Sequence, residues 1–113
     1  MDSILLSIKK LLGPGAEDTH FDPDITLHIN TALSVLTQLG VGPREGFAIS
    51  GSEETWGQFL GEDPRLSMVK SYVYAKVKLL FDPPQSSAHV EALKAAIAEF
   101  EWRANCQVDP GEG

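Results

Sequence analysis

The chain is 113 residues long, enough for one domain with a modest core and too short for two. Sixteen acidic side chains against nine basic ones leave a formal charge of -7, which argues against tight binding to a phosphate backbone, because that binding is driven by Lys and Arg displacing counterions. No apolar run approaches the roughly 20 residues that cross a bilayer, and the single cysteine, Cys106, can form no internal disulfide, so a soluble protein folding in a reducing cytoplasm is expected.

Ile4, Leu5, Ile8, Leu11 and Leu12 fall on one stripe of a helical repeat, so residues 3–12 are expected to form a short amphipathic helix that Gly13-Pro14-Gly15 ends. Lys9 and Lys10 follow the apolar residues and no small-residue cleavage site comes after them, so no secretory signal is expected. Beyond a polar loop, Asp22-Pro23-Asp24 reads as an N-cap, a first-position proline and an acid favoured by the helix dipole. A second helix is therefore expected over 22–39, burying Ile25, Ile29, Ala32, Leu33, Leu36 and Leu39 and stopped by Gly40.

From Val41 to Ser52 the helical period lapses. Gly42-Pro43 and Gly46 are breakers, and Phe47-Ala48-Ile49-Ser50 alternates as a short strand would. The sequence offers no second convincing strand, so 47–50 is expected to form a hairpin with its own flanks or to pair with a neighbouring copy. Ser52 is the expected cap of a short helix over 53–60, with Glu53 and Glu54 in its first turn, an apolar face of Trp56, Phe59 and Leu60, and Gly61 at its end.

Asp63-Pro64 opens a long helix to about Leu80. Leu66, Val69, Val73, Val77 and Leu80 line one face and Met68, Tyr72, Ala75 and Leu79 a second, which marks a central helix packed on two sides and leaves Lys70, Lys76 and Lys78 for solvent or a partner. Pro83 lacks an N–H and Pro84 restricts the residue before it, so the helix must stop near Asp82 and the chain must turn. Ser86 or Ser87 then caps the last helix, with Val90, Leu93, Ile97, Phe100 and Ala104 facing inward. The fold class expected is all-α: a small bundle of four to five helices with a central long helix, plus a short strand or hairpin around 47–50, as one domain over residues 1–107. Residues 108–113, beginning at Val108, hold too little apolar content to fold alone and are expected to be a flexible tail that orders on binding.

Little in the chain points to catalysis. Asp18, His20, Asp22 and Asp24 alternate as calcium ligands do, but an EF-hand loop starting at Asp18 would need glycine where Pro23 stands and a bidentate acid where Ile29 stands. His28 and His89 have no histidine or cysteine three or four residues away to complete a zinc set. Cys106 has no base placed beside it, and Gly13-Pro14-Gly15 lacks the Lys-Ser/Thr of a phosphate loop. No metal, no cofactor and no enzymatic activity is expected.

The two tryptophans are more informative. Trp56 reads as a core residue, whereas Trp102 lies two residues past Phe100, about 200° round the helix, so the two cannot face the same core and one must meet another element or another chain. An exposed Trp beside Glu99, Glu101 and Arg103 has the composition of an interface anchor with a polar rim.

Taken in order, the amphipathic start, the Asp-Pro-opened second helix, the glycine-rich loop, Thr55-Trp56, the long helix into Leu80-Phe81-Asp82-Pro83-Pro84 and the Glu-Phe-Glu-Trp-Arg run at 99–103 resemble the small head-tail connector proteins, also called adaptors, of long-tailed bacteriophages. The resemblance covers residues 3–107. It implies a structural virion protein at the head-tail junction, a subunit of a homo-oligomeric ring of about twelve copies. Such a ring docks on the portal protein, meets a stopper or tail-completion protein, and lets DNA pass through without specific binding. Carried onto this sequence, it implies that helices 22–39 and 64–81 form the body and inter-subunit walls. Loop 41–52, with Phe47 and Ile49, would be a mobile element facing a ring neighbour or the tail, and Trp102, Arg103 and Val108 would dock on the portal. Lys70, Lys76 and Lys78 are placed to meet Glu53, Glu54, Glu62 or Asp63 of a neighbour. The alternative is a small helical DNA-packaging or regulatory DNA-binding protein. It would need a basic recognition helix, yet residues 22–39 contain no Lys or Arg.

Overall fold

The computed structural model describes residues 3–16 and 18–108. The described residues hold five α-helices: α1 (Ile4–Leu12), α2 (Asp22–Gln38), α3 (Trp56–Leu60), α4 (Leu66–Phe81) and α5 (Ser87–Val108). Two short 3₁₀ turns, Pro14–Ala16 and Thr19–Phe21, join α1 to α2. Among the described residues there is no strand, so the fold is all-α; the one bridge is an isolated antiparallel contact between Ser3 and Thr55. Val108 ends α5, while residues 109–113 of the expected tail lie outside the described residues.

α4 is the central element. It packs against α2 along one side and α5 along the other, with α1 as a third neighbour. Ile25, Ile29, Ala32, Leu33 and Leu36 of α2 close on Val69, Val73 and Val77 of α4, and Ile4, Leu5 and Ile8 of α1 seal the same core. Most of the expected faces are packed, but Leu11 of α1 is about half exposed, Leu39 is only partly buried, and Met68 and Leu80 of α4 are about half exposed because α5 covers only a strip of that helix. Two aromatic contacts, one edge-on and one tilted, tie the ends together. Phe21 at the start of α2 meets Phe81 at the end of α4, and Phe47 in the α2–α3 loop meets Phe59 of α3, both with centroids 5.4 Å apart.

The helix ends show where local chemistry departs from the sequence expectation. Asp22 does not cap α2. Its N–H bonds back to Thr19 within the 3₁₀ turn, which places Asp22 inside the helix, and its carboxylate instead reaches the buried Lys9 of α1 at 2.6 Å. Ser52 does not cap α3 either. Thr55 does, as a capping box: its hydroxyl accepts from the Gln58 N–H at 3.2 Å while the Gln58 side chain accepts from the Thr55 N–H at 3.0 Å. Glu53 and Glu54 therefore precede the helix. α4 begins at Leu66, after a turn in which the Asp63 carboxylate accepts from the Arg65 N–H at 2.8 Å. At its other end α4 stops at Phe81, one residue before Asp82-Pro83-Pro84, and Ser86 supplies the hydroxyl and carbonyl that start α5.

Candidate interaction surfaces

Residues 41–55 form the longest stretch without a helix, and they lie pinned across the ends of α1 and α2. Val41 and Ile49 are buried in the core. The expected strand at 47–50 does not form. Ile49 finds its main-chain partners in one side chain instead: Asn30 of α2 accepts from the Ile49 N–H at 2.7 Å and donates to the Ile49 carbonyl at 2.9 Å. An amide carries one acceptor and two donors, so a single Asn can replace the adjoining strand that a buried main-chain N–H and C=O would otherwise require. Ile49 thus turns inward, and Phe47, partly buried, packs on Phe59.

Beyond Ile49 the loop is held by Glu54. Its carboxylate accepts from the Ser50 N–H at 3.0 Å, the Ser50 hydroxyl at 2.9 Å and the Gly51 N–H at 3.4 Å. The Ser50 hydroxyl bond in particular, aided by the main-chain N–H groups, holds the Glu54 carboxyl below its ordinary value. The Glu54 carbonyl then accepts from the Ile4 N–H at 3.0 Å, satisfying one of the orphan donors at the start of α1, and the Trp56 indole donates to the Ser7 hydroxyl at 2.8 Å. Trp56 is a core residue, as its sequence context suggests.

The three lysines of α4 are each engaged within the chain. Lys70 lies 5.8 Å above the Trp56 ring, Lys76 is 3.6 Å from Glu101 of α5, and Lys78 is 3.1 Å from Asp82 at the end of its own helix. Of the acids expected to meet them from a neighbour, Glu54 caps the loop and Asp63 pairs with Arg65 at 2.8 Å, whose hydrogen bonds hold the Asp63 carboxyl below its usual range. Glu53 and Glu62 remain exposed.

α5 joins the body along a narrow seam. Phe100 stacks on Tyr72 with centroids 4.7 Å apart, Ile97 is buried, and the Tyr72 hydroxyl donates to Glu101 at 2.7 Å. Burial first, and the neighbouring carboxylate second, push the Tyr72 phenol far above its usual range, so it remains a donor at every physiological pH. Beside the seam runs an open groove of about 390 Å³ floored by Met68, Tyr72, Ile97 and Phe100, with Arg103 at its rim. Trp102 points the other way, 67% exposed, next to an Arg103–Glu99 ion pair of 2.8 Å. The conflict between Phe100 and Trp102 is resolved with Phe100 inward and Trp102 outward. The side chain of Val108, like that of Cys106, lies outside the described structure.

Among the described residues no three His, Cys, Asp or Glu side chains come together as a metal site, and no helix is long and apolar enough to cross a membrane. The features an assembly could use are therefore a pinned loop, a lysine row engaged within the chain and an exposed tryptophan toward one end of α5. The family described as phage connector protein matches residues 4–111. No curated protein and no solved structure matches the chain. With nearly its whole length covered by that match, the chain belongs to the phage connector proteins, structural components of the virion at the head-tail connection.

Proposed function

We propose that the protein is the repeating subunit of a ring that docks on the portal, meets a stopper or tail-completion protein on its other side and forms part of the channel through which DNA passes. What supports this most is the family match along residues 4–111. The geometry supplies surfaces for such contacts. Trp102, with Arg103 beside it and Val108 beyond, is a large apolar side chain held out on a rigid helix, the composition of an anchor for the portal. A closed ring needs two different patches on each copy. The loop at Phe47 and Ile49 and the row of Lys70, Lys76 and Lys78 provide one of them, with Glu53 and Glu62 as acids that a neighbouring copy can offer. The net charge of -7 suits a channel wall that DNA slides past without being held.

Native mass spectrometry of the purified chain over a range of concentrations, with negative-stain images of any large species, tests this reading. A closed ring of about a dozen copies is expected. Charge reversal at both Lys76 and Lys78 is expected to weaken ring formation at low salt. A chain that stays monomeric at every concentration and also fails to bind its portal protein would sink the proposal.

A further inference from the structure

α5 returns along α4 through a corner of residues 82–86. Tyr72 meets Phe100, Lys76 meets Glu101, and Leu80 and Lys94 line one hollow further along, so the two helices run antiparallel. Nothing within the corner closes it. Among the described residues the main-chain hydrogen bonds at its ends belong to the helices, from the Asp82 N–H to Lys78 and from the Val90 N–H to Ser86, and none spans Pro83 to Gln85. The two prolines have no N–H to give, and each biases the residue before it toward an extended chain. The corner is thus a stiff piece with a bend on either side, at Asp82 and at Gln85–Ser86.

What holds α5 down is the seam. None of residues 87–96 is buried, although Val90 and Leu93 are partly covered, and the grip comes from Ile97, the Phe100–Tyr72 stack and Glu101 with its partners Tyr72 and Lys76. Those ring, hydrogen-bond and ion-pair contacts all join α5 to α4. A second copy of the chain carries the same α4 face and the same α5, so the seam closes equally well between α4 of one copy and α5 of another.

We propose that α5 is exchanged between copies: the corner opens, and each chain lays its α5 on α4 of the next, so that Phe100 stacks on the neighbour's Tyr72 and Glu101 meets the neighbour's Tyr72 and Lys76. The segment that covers α4 in the assembly is then the same one that covers it within a single chain. Exchange therefore loses no packing and changes only the two bends of a short, stiff hinge, the kind of connection that invites swapping. Handing α5 on in one direction is a head-to-tail contact, which closes as a ring or runs on as an open chain. The inference rests on the reading that copies of this chain assemble with one another. It fixes no ring size, and it leaves Trp102, on the outer side of α5, exposed for a further partner.

The test uses the full chain with Cys106→Ser, so that introduced thiols are the only ones. Lys76→Cys and Glu101→Cys, at positions whose native side chains approach to 3.6 Å, are made in separate chains. The two chains are mixed in denaturant, refolded together at high concentration and treated with a short bis-maleimide. Neither can link to itself. A covalent dimer of the two different chains is expected on a denaturing gel, about tenfold or more above the dimer from either chain alone, because exchange holds the two thiols at high effective concentration. Leu80→Cys with Lys94→Cys repeats the test with the Lys76–Glu101 ion pair left in place. Lengthening the corner by about six Gly/Ser residues lets α5 fold back freely and should cut the linked dimer by about tenfold. Two results overturn the inference: no dimer above the single-chain background with either pair, or a chain carrying both substitutions of a pair that links only to itself. If a ring still forms in the second case, the proposed function stands without exchange. Linked multimers without a closed ring would keep the exchange and remove the ring.

Discussion

Asn30 fixes the α2–α3 loop with two hydrogen bonds, and among the described residues no other side chain bonds to the Ile49 main chain. Truncating it leaves a main-chain donor and acceptor of a buried residue without partners. Asn30→Ala is therefore expected to destabilise the fold by roughly 2–4 kcal/mol, read as a lowered urea midpoint with an unchanged slope. Asn30→Asp should not rescue it, since the carboxylate keeps the bond from the Ile49 N–H but sets its other oxygen against a carbonyl. Glu54 acts at the same scale through charge. Its carboxyl is held below the ordinary 4.5, so its contribution to stability is present above that pH and is lost as pH falls through the folded-state value. Urea midpoints measured between about pH 3 and 6 should fall less steeply on acidification in Glu54→Gln than in the parent chain. Neither residue announces itself in the sequence. Asn30 reads as one more polar position on an amphipathic helix, and its role depends on a loop nineteen residues away. Trp56 and the Phe100–Trp102 conflict were legible, because an apolar helical context and the angular step round a helix are both read from neighbouring residues.

Among the elements, α2 and α4 were the most readable, since an apolar stripe and a proline at each relevant boundary leave little choice of state. α3 was misread at its start although the signal is present: Thr55 and Gln58 have the spacing of a capping box, which places the helix three residues later than Ser52 would. The strand at 47–50 was misread for a physical reason. Alternation of apolar and polar residues reports which side chains face inward, and Phe47 and Ile49 do, but it says nothing of what satisfies the main chain. α5 rests chiefly on one neighbour, α4. Within its described length it contributes Ile97 and Ala104 to the buried set, with Leu93 and Phe100 partly covered, and it packs against α4. Phe100→Ala removes the stack on Tyr72. It should cost roughly 2 kcal/mol, less than a fully buried Phe, and hydrogen exchange should speed in α5 well before α2 responds.

At the scale of the whole molecule, the resemblance read from the order of motifs and the family match over residues 4–111 agree. Which partner meets which surface could not be read from the sequence, because that depends on side chains such as Trp102 whose exposure is a tertiary fact. One tie in the body has a consequence for how the chain is made. α1 is synthesised well before its partners, yet its opening N–H is satisfied by the Glu54 carbonyl and its Ser7 hydroxyl by Trp56, 49 residues further on. Closing so long a loop carries an entropic cost that local helix formation does not. During synthesis α1 must therefore wait, apolar face uncovered, until the middle of the chain has emerged and taken shape around it.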